Sequence, residues 1–217
     1  PVALQALASQ PVTAQPDGAI RDIISVIAPY DILPNDTYKI TGWFTQATPI
    51  ELFQAGTDYD TWVTDHYLQL PESLPVRVKE LSREITMVAK TPYEKAIKIK
   101  NFLQRFTYNN VFNTPPKGVD AVDYFLFEKQ AGDCTFFASS MAVMLRSVGV
   151  PARISSGYRL DEQDKNTRQF ILRTQDYHAR AEVFFPGYGW IEFEATPGLP
   201  GLSQEEIGNI GLETTTN

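Results

Sequence analysis

The chain has 217 residues, 43% of them apolar, which is enough to bury a core without disulfides or a structural metal. Nineteen Lys+Arg against 26 Asp+Glu give a net charge of −7, so no cationic excess exists to displace counterions from nucleic acid or an anionic membrane. One cysteine and two histidines exclude a disulfide framework and most zinc sites, and no apolar run approaches the roughly 18 residues of a membrane span.

The chain opens on Pro1 without a basic stretch or an apolar leader, as expected of a fragment of a longer protein. Residues 1–20 are rich in Ala, Gln and Pro and aperiodic, which predicts a linker or edge segment. Asp22–Ala28 and Thr37–Phe44 are β-branched and aromatic and read as strands. Thr48-Pro49 to Gly56 has a cap, a first-turn proline and a terminal glycine, hence a short helix. The two prolines in Leu70–Pro75 suggest a boundary near Leu70, closing an N-terminal section over 21–70.

Val78, Leu81, Ile85 and Val88 recur at helical spacing. Thr91-Pro92-Tyr93-Glu94 is a capping box that opens a helix with the stripe Ala96, Ile99, Leu103 and Phe106. Asn109–Val119 reads as loop and Asp120–Phe127 as a short aromatic helix. From Cys134, Phe137, Ala138, Met141, Leu145 and Val148 mark a helix that Gly149 and Pro151 stop. Arg153–Arg159 and Phe170–Thr174 read as strands, and Tyr177–Phe185 with Trp190–Glu194 as a hairpin. The tail, residues 199–217, is expected to fray. Helices first and antiparallel strands after is the order of an α+β domain, here over residues 71–198.

The lone cysteine stands at the start of a predicted helix, where the dipole and unpaired N–H groups favour a thiolate. A thiol with a pKa of about 8.5 is only a few per cent ionised at neutral pH, so a nucleophilic role needs that help and a base. His178 is the base within reach of such a scheme, and Glu194, on the next strand, could fix its tautomer. A strict four-residue turn would pair Phe185 with Trp190 and set His178 and Glu194 on opposite faces. Placement on one face needs a loop of odd length or a bulge.

Three segments, taken together, carry a resemblance. Ala131-Gly-Asp-Cys-Thr-Phe-Phe-Ala138 with Met144–Arg153 and Gly157-Tyr158, Tyr177-His-Ala-Arg-Ala-Glu-Val183, and Gly189-Trp-Ile-Glu-Phe-Glu-Ala-Thr-Pro197 resemble the nucleophile, histidine and acid segments of bacterial transglutaminase-like domains. Val122–Phe127 and Leu70–Val78 resemble, more narrowly, the extracytoplasmic domain of large bacterial membrane proteins. The resemblance implies a papain-like α+β core, with helices packed on an antiparallel sheet and a smaller N-terminal α/β section. It implies Cys134 as nucleophile, His178 as base and Glu194 as orienting acid. Two positions depart from the family pattern: Glu194 where Asp is usual, and Arg180 where Trp often stands.

The activity implied is acyl transfer from a protein or peptide amide through a thioester, as a transglutaminase, amidohydrolase or peptidase. The alternative is an inactive module of the same fold that binds a peptide or cell-wall partner. Tyr108, Gln130, Trp190 and Arg180 are candidates for the substrate cleft, Tyr108 and Gln130 also for a second oxyanion donor. His66 is read as having no catalytic role. No cofactor is expected; Asp161, Asp164 and Asn166 have oxygen-ligand character, but the run lacks the glycine and terminal glutamate of a calcium loop. Membrane anchoring of the full-length protein, on the extracytoplasmic side of a bacterial membrane, follows from the resemblance alone.

Overall fold

The structure, a computed structural model, describes residues 5–8, 23–27, 45, 47–111, 114–159 and 173–199. These fall in two compact units, Pro1–Phe44 and Thr45–Asn217. In the first, Gln5–Ala8 (β1) pairs antiparallel with Ile23–Ile27 (β2). The segment read as a linker or edge segment thus contributes a strand, its backbone groups finding a partner that composition does not reveal. The expected strand at 37–44 lies outside the described residues.

The second unit begins with Pro49–Gln54 (α1) and Thr61–Tyr67 (α2). Val76–Thr86 (α3) and Pro92–Leu103 (α4) follow, then Thr107–Tyr108 (β3). Ala121–Asp123 (α5) runs into a π-helical turn at Tyr124–Lys129 and the short strand Ala131–Gly132 (β4). Cys134–Ser147 (α6), Ala152–Tyr158 (β5), Tyr177–Phe185 (β6) and Gly189–Phe193 (β7) complete it. Thr48 and Thr91 each form the capping box their sequences promise, accepting from the N–H of Glu51 and Glu94 while those carboxylates return the bond. Thr174, expected at the end of a strand, instead opens a 3₁₀ turn over Thr174–Asp176.

The α+β reading holds: six α-helices among the described residues pack around the antiparallel sheet β5-β6-β7. Along β6, Ala179, Ala181, Val183 and Phe185 are buried on one face. Of these, Ala181, Val183 and Phe185 meet Phe137, Met141 and Leu145 of α6 and Ile99 and Leu103 of α4 in one apolar core. The residues 45–70 belong to this body. Leu52 joins the core, Thr45 donates its hydroxyl to Tyr188 O at 2.5 Å, and Arg146 Nη1 donates to Gln69 O at 3.0 Å. The parts on either side of Leu70 thus pack as one body, the alternative the sequence left open at that boundary. Helix α2 had no sequence prediction; its Trp62 and Tyr67 rings cover Phe184 and Trp190 on the other face of the sheet.

Candidate active site

Helix α6 starts where the sequence says. Asp133 is its N-cap, with Oδ1 accepting from the N–H groups of Thr135 and Phe136 at 2.9 and 3.3 Å. The first helical residue is Cys134, 6% exposed and packed on Ala138 and Ala179. β4 leads into it, and Gly132 has no room for a side chain: a Cβ there would lie 2.9 Å from Phe136 Cδ2.

The hairpin supplies the histidine and the acid. Phe185 pairs with Gly189, so the connection is three residues, Pro186-Gly187-Tyr188, with Gly187 and Gly189 at φ of +81° and +79°. An odd loop makes even-numbered residues of the two strands share a face. Ala181 pairs with Phe193, so one further step sets Glu194 opposite Arg180 and diagonal to His178. Both are buried, at 6% and 3% exposure, and His178 Nε2 donates to Glu194 Oε2 at 2.6 Å. Glu194 Oε1 accepts from the Thr196 N–H at 2.8 Å, and Gln104 Nε2 at the end of α4 holds the Glu194 carbonyl at 3.2 Å.

With Nε2 committed to Glu194, the remaining ring nitrogen serves the sulfur: the His178 ring and the Ala179 N–H both hydrogen-bond Cys134. Burial pushes the Cys134 thiol up, but these two bonds and the imidazolium charge outweigh it and leave the thiol below its ordinary range. Burial alone would lower His178; the bonds to Cys134 and Glu194 and their charges raise it to about 9 instead. Burial likewise opposes ionisation of Glu194, yet His178 and the Thr196 N–H hold its carboxyl below the usual range. All three shifts run toward the charged forms: thiolate, imidazolium and carboxylate.

The cleft candidates divide. Parallel pairing of β3 with β4 puts Tyr108 beside Gly132, and the ring is 46% exposed. Partial burial and the negative charges of Cys134 and Asp133 raise its phenol, so it keeps its proton near the sulfur. Gln130, at φ 47°, terminates the π-helical turn, and its amide donates to Leu126 O at 3.3 Å. Trp190 also serves packing rather than the cleft, its ring 4.5 Å from Tyr67, 5.2 Å from Phe184 and under the Arg153 guanidinium at 4.2 Å. Arg180 faces Glu192 and Glu194. Two residues of the segments that carry the resemblance, Tyr158 and Tyr177, had no role assigned from the sequence. They are cross-strand partners, 54% and 48% exposed, on the strand positions flanking Gly157 and His178. His66 lies on α2, its Nδ1 2.9 Å from Trp62 O. Asp161, Asp164 and Asn166 lie outside the described residues. Among the described residues no three His, Cys, Asp or Glu side chains form a metal-holding group, and no helix is long and apolar enough to cross a membrane.

Comparison with known proteins gives the same picture of the fold. The family profile of the Transglutaminase-like superfamily matches residues 79–195, more than half of the chain. YebA of Bacillus subtilis (strain 168), an uncharacterised protein, is 38% identical over 148 residues, 65% of this chain and 20% of its own length. A protein-glutamine gamma-glutamyltransferase of Pseudomonas aeruginosa is 31% identical over 163 residues, 73% of this chain and 23% of its own. The crystal structure of the periplasmic domain of TgpA from Pseudomonas aeruginosa superposes with a TM-score of 0.57 at 28% identity, over 64% of this chain and 48% of that one. The chain spans less than a quarter of the length of these curated relatives. Its fold, the order of its segments and the profile match agree: the chain belongs to the transglutaminase-like superfamily.

Proposed function

We propose that the protein carries out cysteine-dependent acyl transfer on protein or peptide amides. The observation that carries this is the placement of His178 between the Cys134 sulfur and Glu194, with the thiol shifted down and the imidazole up. The Cys134 thiolate attacks a carboxamide carbonyl, and the tetrahedral intermediate collapses as imidazolium His178 protonates the departing ammonia or amine. A thioester remains. His178, now neutral, takes a proton from water or an incoming primary amine as that nucleophile expels the thiolate. The Cys134 N–H at the head of α6 is one donor for the oxyanion, and the protonated Tyr108 hydroxyl is the second.

The name of the Pseudomonas relative, a glutamyltransferase, supports glutamine as the acyl donor, and the periplasmic TgpA domain supports an extracytoplasmic location for this chain; a membrane-anchored parent rests on the sequence resemblance alone. No cofactor enters these steps. Iodoacetamide alkylation of Cys134 followed across pH tests the reading. We expect a fast rate on the acid side of an ordinary thiol's titration, abolished in His178→Ala. A rate that follows an ordinary thiol and ignores that substitution would leave only a binding module of this fold. Product analysis with and without a primary amine then separates crosslinking from hydrolysis.

A further inference from the structure

The sheet face that carries His178 and Glu194 also carries a ladder of charge. Arg153 and Glu182 are cross-strand partners joined at 2.5 Å. Glu182 and Glu192 also stand opposite each other in register, a like-charge pair that is unfavourable unless cations intervene. Arg153 serves the first of these carboxylates and Arg180 the second, Arg180 Nη1 donating to Glu192 Oε2 at 2.7 Å. The same guanidinium turns its Nε toward Glu194 Oε2 at 3.4 Å, the oxygen that accepts from His178. The Arg180 side chain is 15% exposed and that of Glu194 2%, so this contact is largely shielded from water.

A glutamate has one more rotatable bond than an aspartate and needs more anchors to hold its carboxylate in one plane. Oε1 is fixed by the Thr196 N–H. Oε2 is shared between His178 and Arg180, and Arg180 is itself braced by Glu192. A planar guanidinium, with donors in a rigid fork, can span both carboxylates, which a point-charge ammonium does less well. Resting on the catalytic reading above, we propose that Arg180 is a positioning residue: braced by Glu192, it holds the Glu194 carboxylate in line with His178 Nε2 and so keeps the imidazole aimed at the Cys134 sulfur. It is not a substrate-cleft residue.

The test uses the whole chain with Arg180→Met, Arg180→Gln and Arg180→Lys, each checked for a cooperative melt. The first readout is the downfield proton resonance of the short His178 Nε2–H bond, which needs no enzymatic activity. The second is the alkylation rate of Cys134 at pH 7. In the Met and Gln variants we expect the resonance to broaden or move and alkylation to slow about tenfold, the scale at which outer partners of an active group act. Lys, which restores the charge but not the fork, should recover part of both. Should Met fail to fold, Gln, shorter than Arg but polar and uncharged, is read alone. A folded Met or Gln variant with resonance and rate unchanged overturns the proposal, as does a Lys variant no better than Met. A parent whose alkylation ignores His178→Ala would refute the catalytic reading while the resonance still decides the role of Arg180.

Discussion

Replacing Glu194 by Gln removes one charge and almost no volume, and the surroundings dictate how the amide sits. The Thr196 N–H points at Oε1 and needs an acceptor there, at 2.8 Å. The amide oxygen must take that position, which puts the NH₂ group where Oε2 was, 2.6 Å from His178 Nε2. Two donors cannot share that contact, so His178 must accept at Nε2 and carry its proton on the nitrogen facing the sulfur. The imidazole is then locked in the tautomer that cannot take a proton from the thiol. The corresponding exchange in the serine-protease triad lowers kcat by about 10⁴, and about 10³–10⁴ is expected here for acyl transfer. Alkylation is less sensitive. An ordinary thiol is about 3% ionised at pH 7, and burial holds this one to a smaller fraction once the imidazolium is lost, so alkylation slows by about thirtyfold or somewhat more. The assays are iodoacetamide labelling from pH 5 to 10 and incorporation of a fluorescent primary amine into a glutamine-bearing test protein. A folded Glu194→Gln protein with both rates within threefold of the parent would refute this account of how the acid works.

The remaining predictions probe neighbouring parts of the site. Because His178 is raised to about 9, its pairing stabilises the fold fully below its unfolded value of about 6.5 and loses that contribution as pH rises through about 9; the Tm gap between the parent and His178→Gln should shrink along that interval. Glu194, held low, acts in the opposite sense, its contribution present above about 4.3 and lost at more acid pH. Asp133→Asn keeps an oxygen for the Thr135 and Phe136 N–H groups but removes a negative charge that pushes the Cys134 thiol up. Its Tm should hold while the alkylation profile moves to lower pH; an unmoved profile would count against that charge effect. Gly132→Ala drives a methyl to within 3.0 Å of Phe136 Cβ, which cannot swing aside as a side-chain tip could. A loss of about 1–3 kcal/mol is expected from denaturant melts, together with slower alkylation as the start of α6 shifts.

Much of the architecture is written locally. Thr48 and Thr91 with their partners Glu51 and Glu94 each close a capping box within four residues, so those helix starts need no tertiary help. Asp133 before Cys134 and Gly149 after the helix, at φ +77°, likewise bound α6 from its own sequence. That suffices to place a thiol at a helix head, and the order of segments identifies His178 and Glu194 as its companions. Short range also misleads. Phe106, read as part of the α4 stripe, lies beyond the helix end and packs on Phe102 and Phe125 from a bend.

What the chain order could not decide was register. A three-residue or a four-residue turn through Pro186-Gly-Tyr-Gly189 is compatible with the same letters, and one residue moves Glu194 from the face of His178 to the other. The choice is made by the sheet, where Ala181, Val183 and Phe185 must face the core and the glycine φ values let the loop close at Gly189. The same register turns Arg180 from a presumed cleft residue into a partner of Glu192 and Glu194. It also sends Trp190 into a ring cluster under α2. Capping and periodicity act within a turn or two of chain and can be read there; cross-strand and inter-element contacts depend on which faces the core must bury, and that is settled only when the whole body is packed.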